Sequence, residues 1–359
     1  MKMAMKDLKV KNSGQKKLSS RKNLALLFVL LFTFHFSLFT SCVKEEQFDN
    51  TPMGNFEALW KILDEHYCFF DYKKAEYGLD WNEVYRRYQP QFRGSMTRAQ
   101  QFEVLANMLA ELRDGHVNLY SAFDVGRNWS WHENFPANYS DSLIRRYLGT
   151  DYRIAAGMQY RILDDNIGYL RCPTFANELG EGNLDEIFYY LAPCRGLILD
   201  LRNNSGGLVT SAEQLAARFT NEERLVGYMQ HKTGRGHNDF SVMEEQRLKP
   251  SNGIRWQKKV VVLTNRSVFS AANEFVKYVK CCPQVIVVGD RTGGGAGLPF
   301  TSELPSGWGV RFSACPMYDR DRQSTEFGID PDLAVALKAD DLANGHDTLI
   351  EFARKEISR

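Results

Sequence analysis

The sequence predicts an α/β protein, a core of parallel strands and flanking helices preceded by a small helical region. Two observations carry this. From about residue 150 onward, short apolar runs alternate with amphipathic stretches at helical spacing, the texture of a parallel sheet with crossover helices. Before that, apolar residues recur at intervals of three and four, the mark of helices with one buried face.

Taken in order, "NFEALWKILDEHYCFF" places Phe56, Leu59, Trp60, Leu63, Tyr67 and Phe70 on one helical stripe. "TRAQQFEVLANMLAELRDGH" repeats the pattern with Phe102, Leu105, Leu109 and Leu112, and Thr97 is placed to cap it. Residues 53–119 therefore read as an N-terminal helical domain. Residues 120–150 are irregular and aromatic (Phe123, Trp129, Trp131, Phe135, Tyr139) and read as a linker or lid, or as a loop packed on the body. Residues 151–359 form the α/β core: strands at 166–172, 195–202, 258–264 and 284–290, helices at 184–192, 211–219 and 271–280.

Three polar or glycine-rich stretches fall where those strands end: "NNSGG", "NRSVFSA" and "GDRTGGGAG". Ligands of open α/β sheets sit at the carboxyl ends of the strands. Ser267 and Ser270 lie at one such joint, just before a helix. A serine there is either a helix cap or a nucleophile beside a helix N-terminus that favours developing negative charge. A nucleophilic serine needs a base and oxyanion donors. Gly206 and Gly207 of "NNSGG", with the N–H of Ala271, are candidate donors. His116 of "RDGHVNL" is the candidate base, although a histidine after a helix end is commonly structural. A histidine base in water would give a rate rising through roughly pH 6–7.

Composition excludes several classes. The 359 residues are 43% hydrophobic and 25% charged, with a formal charge of +1. Residues 1–41 hold eight basic side chains and one acidic; removing them from 45 and 44 leaves 37 basic and 43 acidic, a net of −6. No basic face suggests nucleic acid. "TGGGAG" lacks the Lys-Ser/Thr of a phosphate loop, and the cysteines and histidines show no metal-ligand spacing, so neither cofactor nor metal is expected. The six cysteines beyond Cys42 read as buried thiols or as one or two disulfides.

The basic start leads into "LALLFVLLFTFHFSLFTSC", an apolar run ending on small residues and Cys42. It resembles a bacterial lipoprotein signal, with Phe39 where an aliphatic residue is usual. The resemblance implies a signal peptide over 1–41, lipidation of Cys42 and a tether over 42–52. The protein would then be lipid-anchored in the cell envelope of a Gram-negative bacterium, at the outer membrane and facing the periplasm or the surface. An ordinary signal peptide or a membrane anchor is the alternative.

"GYLRCPTF", "GLILDLRNNSGG", "VVLTNRSVFSAANEF", "VVGDRTGGG" and "FGIDPD" occur in that order. The ordered set resembles the serine peptidase family that includes C-terminal processing (tail-specific) proteases, the tricorn core and interphotoreceptor retinoid-binding protein. The likeness covers residues 53 to about 337 and implies a crotonase/Clp-protease-like core. In the processing-protease branch the base is a lysine; here Gly295 holds its place, and Lys277 and Lys280 sit on the helix beyond Ser270. The tricorn-like branch matches better: its "DGH" aligns with Asp114-Gly115-His116, and its glutamate, before a G-x-x-P-D segment, with Glu326. The resemblance thus implies Ser270 as nucleophile, His116 as general base and Glu326 as supporting carboxylate. Asn273 departs from the glutamate usual three residues after the serine, with Glu274 next. Too few residues separate His116 from Asn166 for a PDZ domain, so recognition of free chain ends is not implied. Gly294 and Gly295 are expected to let a substrate backbone lie against their loop. The expected function is a serine endopeptidase acting on peptides or proteins; the alternative is a non-catalytic binding lipoprotein for peptides or an apolar ligand.

Overall fold

The computed structural model describes residues 47–359, of which Phe48–Arg359 form one compact unit. The predicted signal peptide, Cys42 and the tether as far as residue 46 lie outside the described residues. No helix among the described residues is long and apolar enough to cross a membrane.

The chain runs α1 (Pro52–His66), α2 (Phe70–Tyr77), α3 (Trp81–Tyr88), α4 (Arg98–Ala110), β1 (Asn118–Tyr120), β2 (Val125–Arg127), α5 (Ser130–Glu133) and α6 (Asp141–Leu148). It continues with β3 (Arg153–Ala155), β4 (Met158–Ile162), β5 (Gly168–Arg171), α7 (Glu181–Leu191), β6 (Leu197–Asp200), α8 (Val209–Ala216), β7 (Arg224–Met229) and β8 (Glu244–Leu248). Then come β9 (Val260–Thr264), α9 (Ala271–Val279), β10 (Val285–Gly289), β11 (Gly297–Glu303), β12 (Gly309–Tyr318), β13 (Leu333–Ala334), α10 (Ala339–Ala343) and α11 (Thr348–Ser358).

Helix starts follow local chemistry. Thr51 accepts from the N–H of Gly54 with Pro52 in the first turn, and Thr97 and Gln100 form a reciprocal capping box at α4. The helical stripes pack into one core with Leu304, Trp308, Val310, Phe312 and Ala314. The N-terminal helices therefore share their core with residues about 200 to 250 positions later.

The main sheet has the order β13-β10-β9-β6-β5-β4-β3. β13, β10, β9, β6 and β5 are parallel; β4 and β3 turn antiparallel at one edge. β6 and β9 are buried along their whole length, which is why they read as continuous apolar runs rather than alternating ones. A second, antiparallel sheet has the order β2-β1-β12-β7-β8, with β11 on the other side of β12. Sequence reading missed it: β1 and β2 are three residues each, too short to display a period. Residues 120–150, expected to be irregular, hold β2, α5 and α6. The six described cysteines are free thiols.

Candidate active site

β9 ends at Thr264, and the chain turns through residues 265–269 into α9. Ser270 occupies the cap position of α9 but caps nothing: its side chain makes no bond to the first turn. Its backbone lies at φ 57°, ψ −124°, a conformation a non-glycine residue adopts only when its surroundings enforce it. Here they do. The Ser270 N–H donates to the Gly294 carbonyl at 2.8 Å, and the Phe269 N–H to the Asn204 carbonyl at 3.1 Å. Turned this way, the hydroxyl lies 2.9 Å from Nε2 of His116. Ser267 takes no part in this contact; its N–H donates to the side chain of Asn265.

His116 arrives from the other side of the molecule, just past α4 and two residues before β1. Asp114 holds the turn: its Oδ1 accepts from the His116 N–H at 2.8 Å, and its Oδ2 accepts from the hydroxyls of Tyr67 and Ser313, each at 2.9 Å. The imidazole is 2% exposed, packs against the Phe269 ring at 4.8 Å, and has no hydrogen-bond partner at Nδ1. Burial pushes its pKa down to about 4, against the opposing charge of Asp114 and with Arg311 and Lys73 adding to the depression. The ring is therefore neutral at physiological pH with Nε2 against the hydroxyl. An acid limb near pH 6–7, expected for a histidine in water, moves down accordingly.

Glu326 is not bonded to His116. It is buried; Oε2 accepts the N–H of Ala296 at 3.0 Å and Oε1 accepts from Lys73 at 3.2 Å. Glu326 is therefore not a surface carboxylate, despite the strongly polar run "DRDRQSTE" that it closes. Burial, reinforced by the charge of Asp114, raises its pKa to about 8, with Lys73 and the Ala296 N–H opposing. Lys73, on α2, was missed by sequence reading. It is fully buried, donates to the carbonyls of Leu112 and Arg113 at 2.6 and 3.2 Å, and stands 3.9 Å from Asp114. Lys73 ties the loop bearing His116 to Glu326, and its position in "DYKKAEY" offers no signal of this.

The glycines divide. The N–H of Gly206 is spent on the side chain of Asn204 at 2.9 Å, so Gly206 supplies no free donor. Its φ is +98°, and a Cβ there would meet the Ala271 nitrogen at 2.9 Å and the Ser270 Cβ at 2.9 Å; glycine permits that approach. No acceptor is present for the N–H groups of Gly207 and Ala271 among the described residues. Gly294 and Gly295, expected to face substrate, instead support the site from behind. A Cβ on Gly294 would meet the Glu326 carbonyl at 1.9 Å, and one on Gly295 the Phe269 ring at 2.5 Å. The aromatic segment closes over the same place: Trp131 stacks on Phe269 with ring centroids 4.1 Å apart.

A neutral imidazole bonded to a serine hydroxyl at a helix N-terminus, with open N–H groups beside it, can deprotonate that hydroxyl and stabilise an oxyanion.

Residues 166–335 match the family model for peptidase family S41, and residues 48–110 match that of the Tricorn protease C1 domain. A crystal structure of a candidate peptidase from Parabacteroides merdae ATCC 43184 is 50% identical, covering 86% of this chain and 97% of that one with a TM-score of 0.82. Mature CPAF shares the fold at 13% identity, 86% and 96% coverage and a TM-score of 0.68. A Tricorn-like protease C-terminal subunit of Sulfurisphaera tokodaii is 28% identical over 202 residues, 53% of this chain and 21% of that protein. The chain thus spans about a fifth of that curated relative's length.

Proposed function

The chain belongs to peptidase family S41, and we propose that it is a serine endopeptidase of the tricorn-like Ser/His kind. The observation that carries this is the 2.9 Å contact between Ser270 Oγ and His116 Nε2. In this reading His116 takes the proton as Oγ attacks a peptide carbonyl. The N–H groups of Gly207 and Ala271 stabilise the oxyanion. His116 then returns the proton to the leaving amine as the C–N bond breaks, and water releases the acyl group by the same route. Glu326 acts at one remove, as a positioning residue through Ala296 and Lys73. A protein that only bound peptides would have no use for a strained serine aimed at a neutral imidazole. The sequence further supports a lipid anchor at Cys42 in the envelope of a Gram-negative bacterium, with peptides or proteins as substrates.

The test is a peptide-library digest. Ser270→Ala and His116→Ala should each lower kcat/KM by at least about a thousandfold while the circular dichroism spectrum stays native. Hydrolysis by pure Ser270→Ala at the wild-type rate would refute the mechanism. The pH profile sharpens it: because His116 is held neutral down to about pH 4, kcat/KM should remain level from pH 7 to about 5. A fall centred near pH 6.5 would show that the base is a solvated histidine instead.

A further inference from the structure

His116 leads directly into β1, and the sheet that begins there carries an unusual pairing. Asn118 lies opposite Arg311 of β12 on one side and opposite Arg127 of β2 on the other. Residues directly opposite one another in antiparallel strands project to the same face. That face is the one turned to the catalytic loop: Ser313, two residues beyond Arg311 on the same strand, points its hydroxyl at Asp114. Two guanidinium groups therefore flank one rung of the sheet beside His116. Arg311 is near enough for its charge to help depress the His116 pKa.

Neither arginine has a carboxylate. Among the described residues no ion pair or hydrogen bond involves the guanidinium group of Arg127 or Arg311; that of Arg127 lies over the Trp129 ring, 3.2 Å from its centroid. The Asn118 amide between them is occupied by the Val117 carbonyl and the Tyr120 hydroxyl. Elsewhere the fully buried arginines are closely paired, Arg202 and Arg218 each holding two acidic side chains, and the half-buried Arg171 and Arg266 each hold side-chain or carbonyl oxygens. A half-buried cation left unpaired on an open face, beside exposed Tyr120 and Trp129, is a ready acceptor for an anionic group.

We propose that Arg311 and Arg127 form a carboxylate-recognition site for the substrate, so that the enzyme favours peptides bearing an acidic group within a few residues of the cleaved bond. This rests on the peptidase reading of the Ser270–His116 pair. The carboxylate can be a Glu or Asp side chain or a chain end, and guanidinium chemistry serves both.

The experiment uses matched decapeptides, chosen from those the wild type cleaves, in four forms: internal Glu or Gln, each with a C-terminal carboxylate or amide. kcat/KM is measured for the wild type, Arg127→Gln, the double variant Arg127→Gln/Arg311→Gln, and Arg311→Lys. Kd is measured in parallel on Ser270→Ala, with and without the two arginine changes, so that recognition is read without turnover. The wild type should favour a carboxylate-bearing form about tenfold, the worth of one charge-assisted hydrogen bond. That ratio should fall to near one in the double variant and recover in part in Arg311→Lys. Because Arg127 is exposed, the single variant guards against loss of fold and should lower the ratio by itself. A preference among the Glu/Gln pairs assigns the site to a side chain, and one among the carboxylate/amide pairs assigns it to a chain end. Equal Kd ratios with and without the arginines overturn the proposal. Wild-type cleavage no faster than that of Ser270→Ala sinks the peptidase reading instead, and the Kd ratios still judge the arginines.

Discussion

Two buried clusters in this molecule contain the same charges, one cation between two carboxylates, and behave differently. In the first, Arg202 at the end of β6 is fully buried between Asp200 and Asp347. Its guanidinium donates to both oxygens of each carboxylate and to the Asn138 carbonyl. Asp347 in turn caps α11 by accepting from the N–H groups of Leu349 and Ile350. In the second, Lys73 lies between Asp114 and Glu326. An ammonium has three donors, and two of them go to backbone carbonyls, leaving one for Glu326. The planar fork of arginine bonds both oxygens of each acid and opposes the upward push of burial on Asp347, whereas the lysine gives Glu326 one donor and leaves its carboxyl pKa raised to about 8, ready to hold a proton. The first cluster fastens α11 to the sheet. The second sits beneath His116, where a carboxyl that can change its charge bears on the site.

Removing each cation is the strongest way to break this comparison. Arg202→Leu leaves two buried carboxylates and an unpaired carbonyl and should cost about 3–5 kcal/mol in denaturant unfolding. Activity per folded molecule should be kept, because no partner of Arg202 touches Ser270 or His116. Lys73→Met should cost less, about 2–3 kcal/mol, because Glu326 can take up a proton and relieve the repulsion. Its activity per folded molecule should nevertheless fall at least tenfold, since the carbonyls of Leu112 and Arg113, which lead into the Asp114-Gly115-His116 turn, lose their tie. Equal stability losses, or activity that tracks only the folded fraction in both variants, would mean that the two clusters are the same device.

The contrast also marks how far a sequence can be read. Ser270 and His116 drew notice because each stands at a boundary, the serine where an apolar strand meets an amphipathic helix and the histidine in the turn beyond a helix, but local sequence left a structural role open for both and it was the ordered resemblance that singled them out. The strands of the main sheet were legible because burial on both faces leaves continuous apolar runs. Lys73 was not, since burial of a lysine depends on carbonyls about 40 residues away and on Glu326, 253 residues away. The glycine loop misled for a related reason. Its glycines make room for the Glu326 backbone and the Phe269 ring, and nothing local distinguishes that from room for a substrate. Arg127 and Arg311 could be recognised as a pair only after β1 had been found to lie between them.

The finest distinction between the clusters is carried by protons. The raised pKa of Glu326 means that the folded state binds a proton more readily than the unfolded chain between about pH 4.5 and 8. Stability should therefore fall as pH rises through that window. His116 acts in the opposite sense: its pKa is depressed, so the unfolded chain binds the extra proton between about pH 4 and 6.5, and stability rises with pH there. Glu326→Gln removes the first contribution and leaves the second. The stability difference between Gln variant and wild type should thus move in the variant's favour by on the order of 1–2 kcal/mol from pH 5 to pH 8.5. That is less than the whole shift implies, because Glu326 and Asp114 share the titration. Urea unfolding of both proteins at the two pH values measures it. A difference that does not change with pH would show that Glu326 titrates as an ordinary carboxylate, and that Lys73 serves its two acids as fully as Arg202 serves its own.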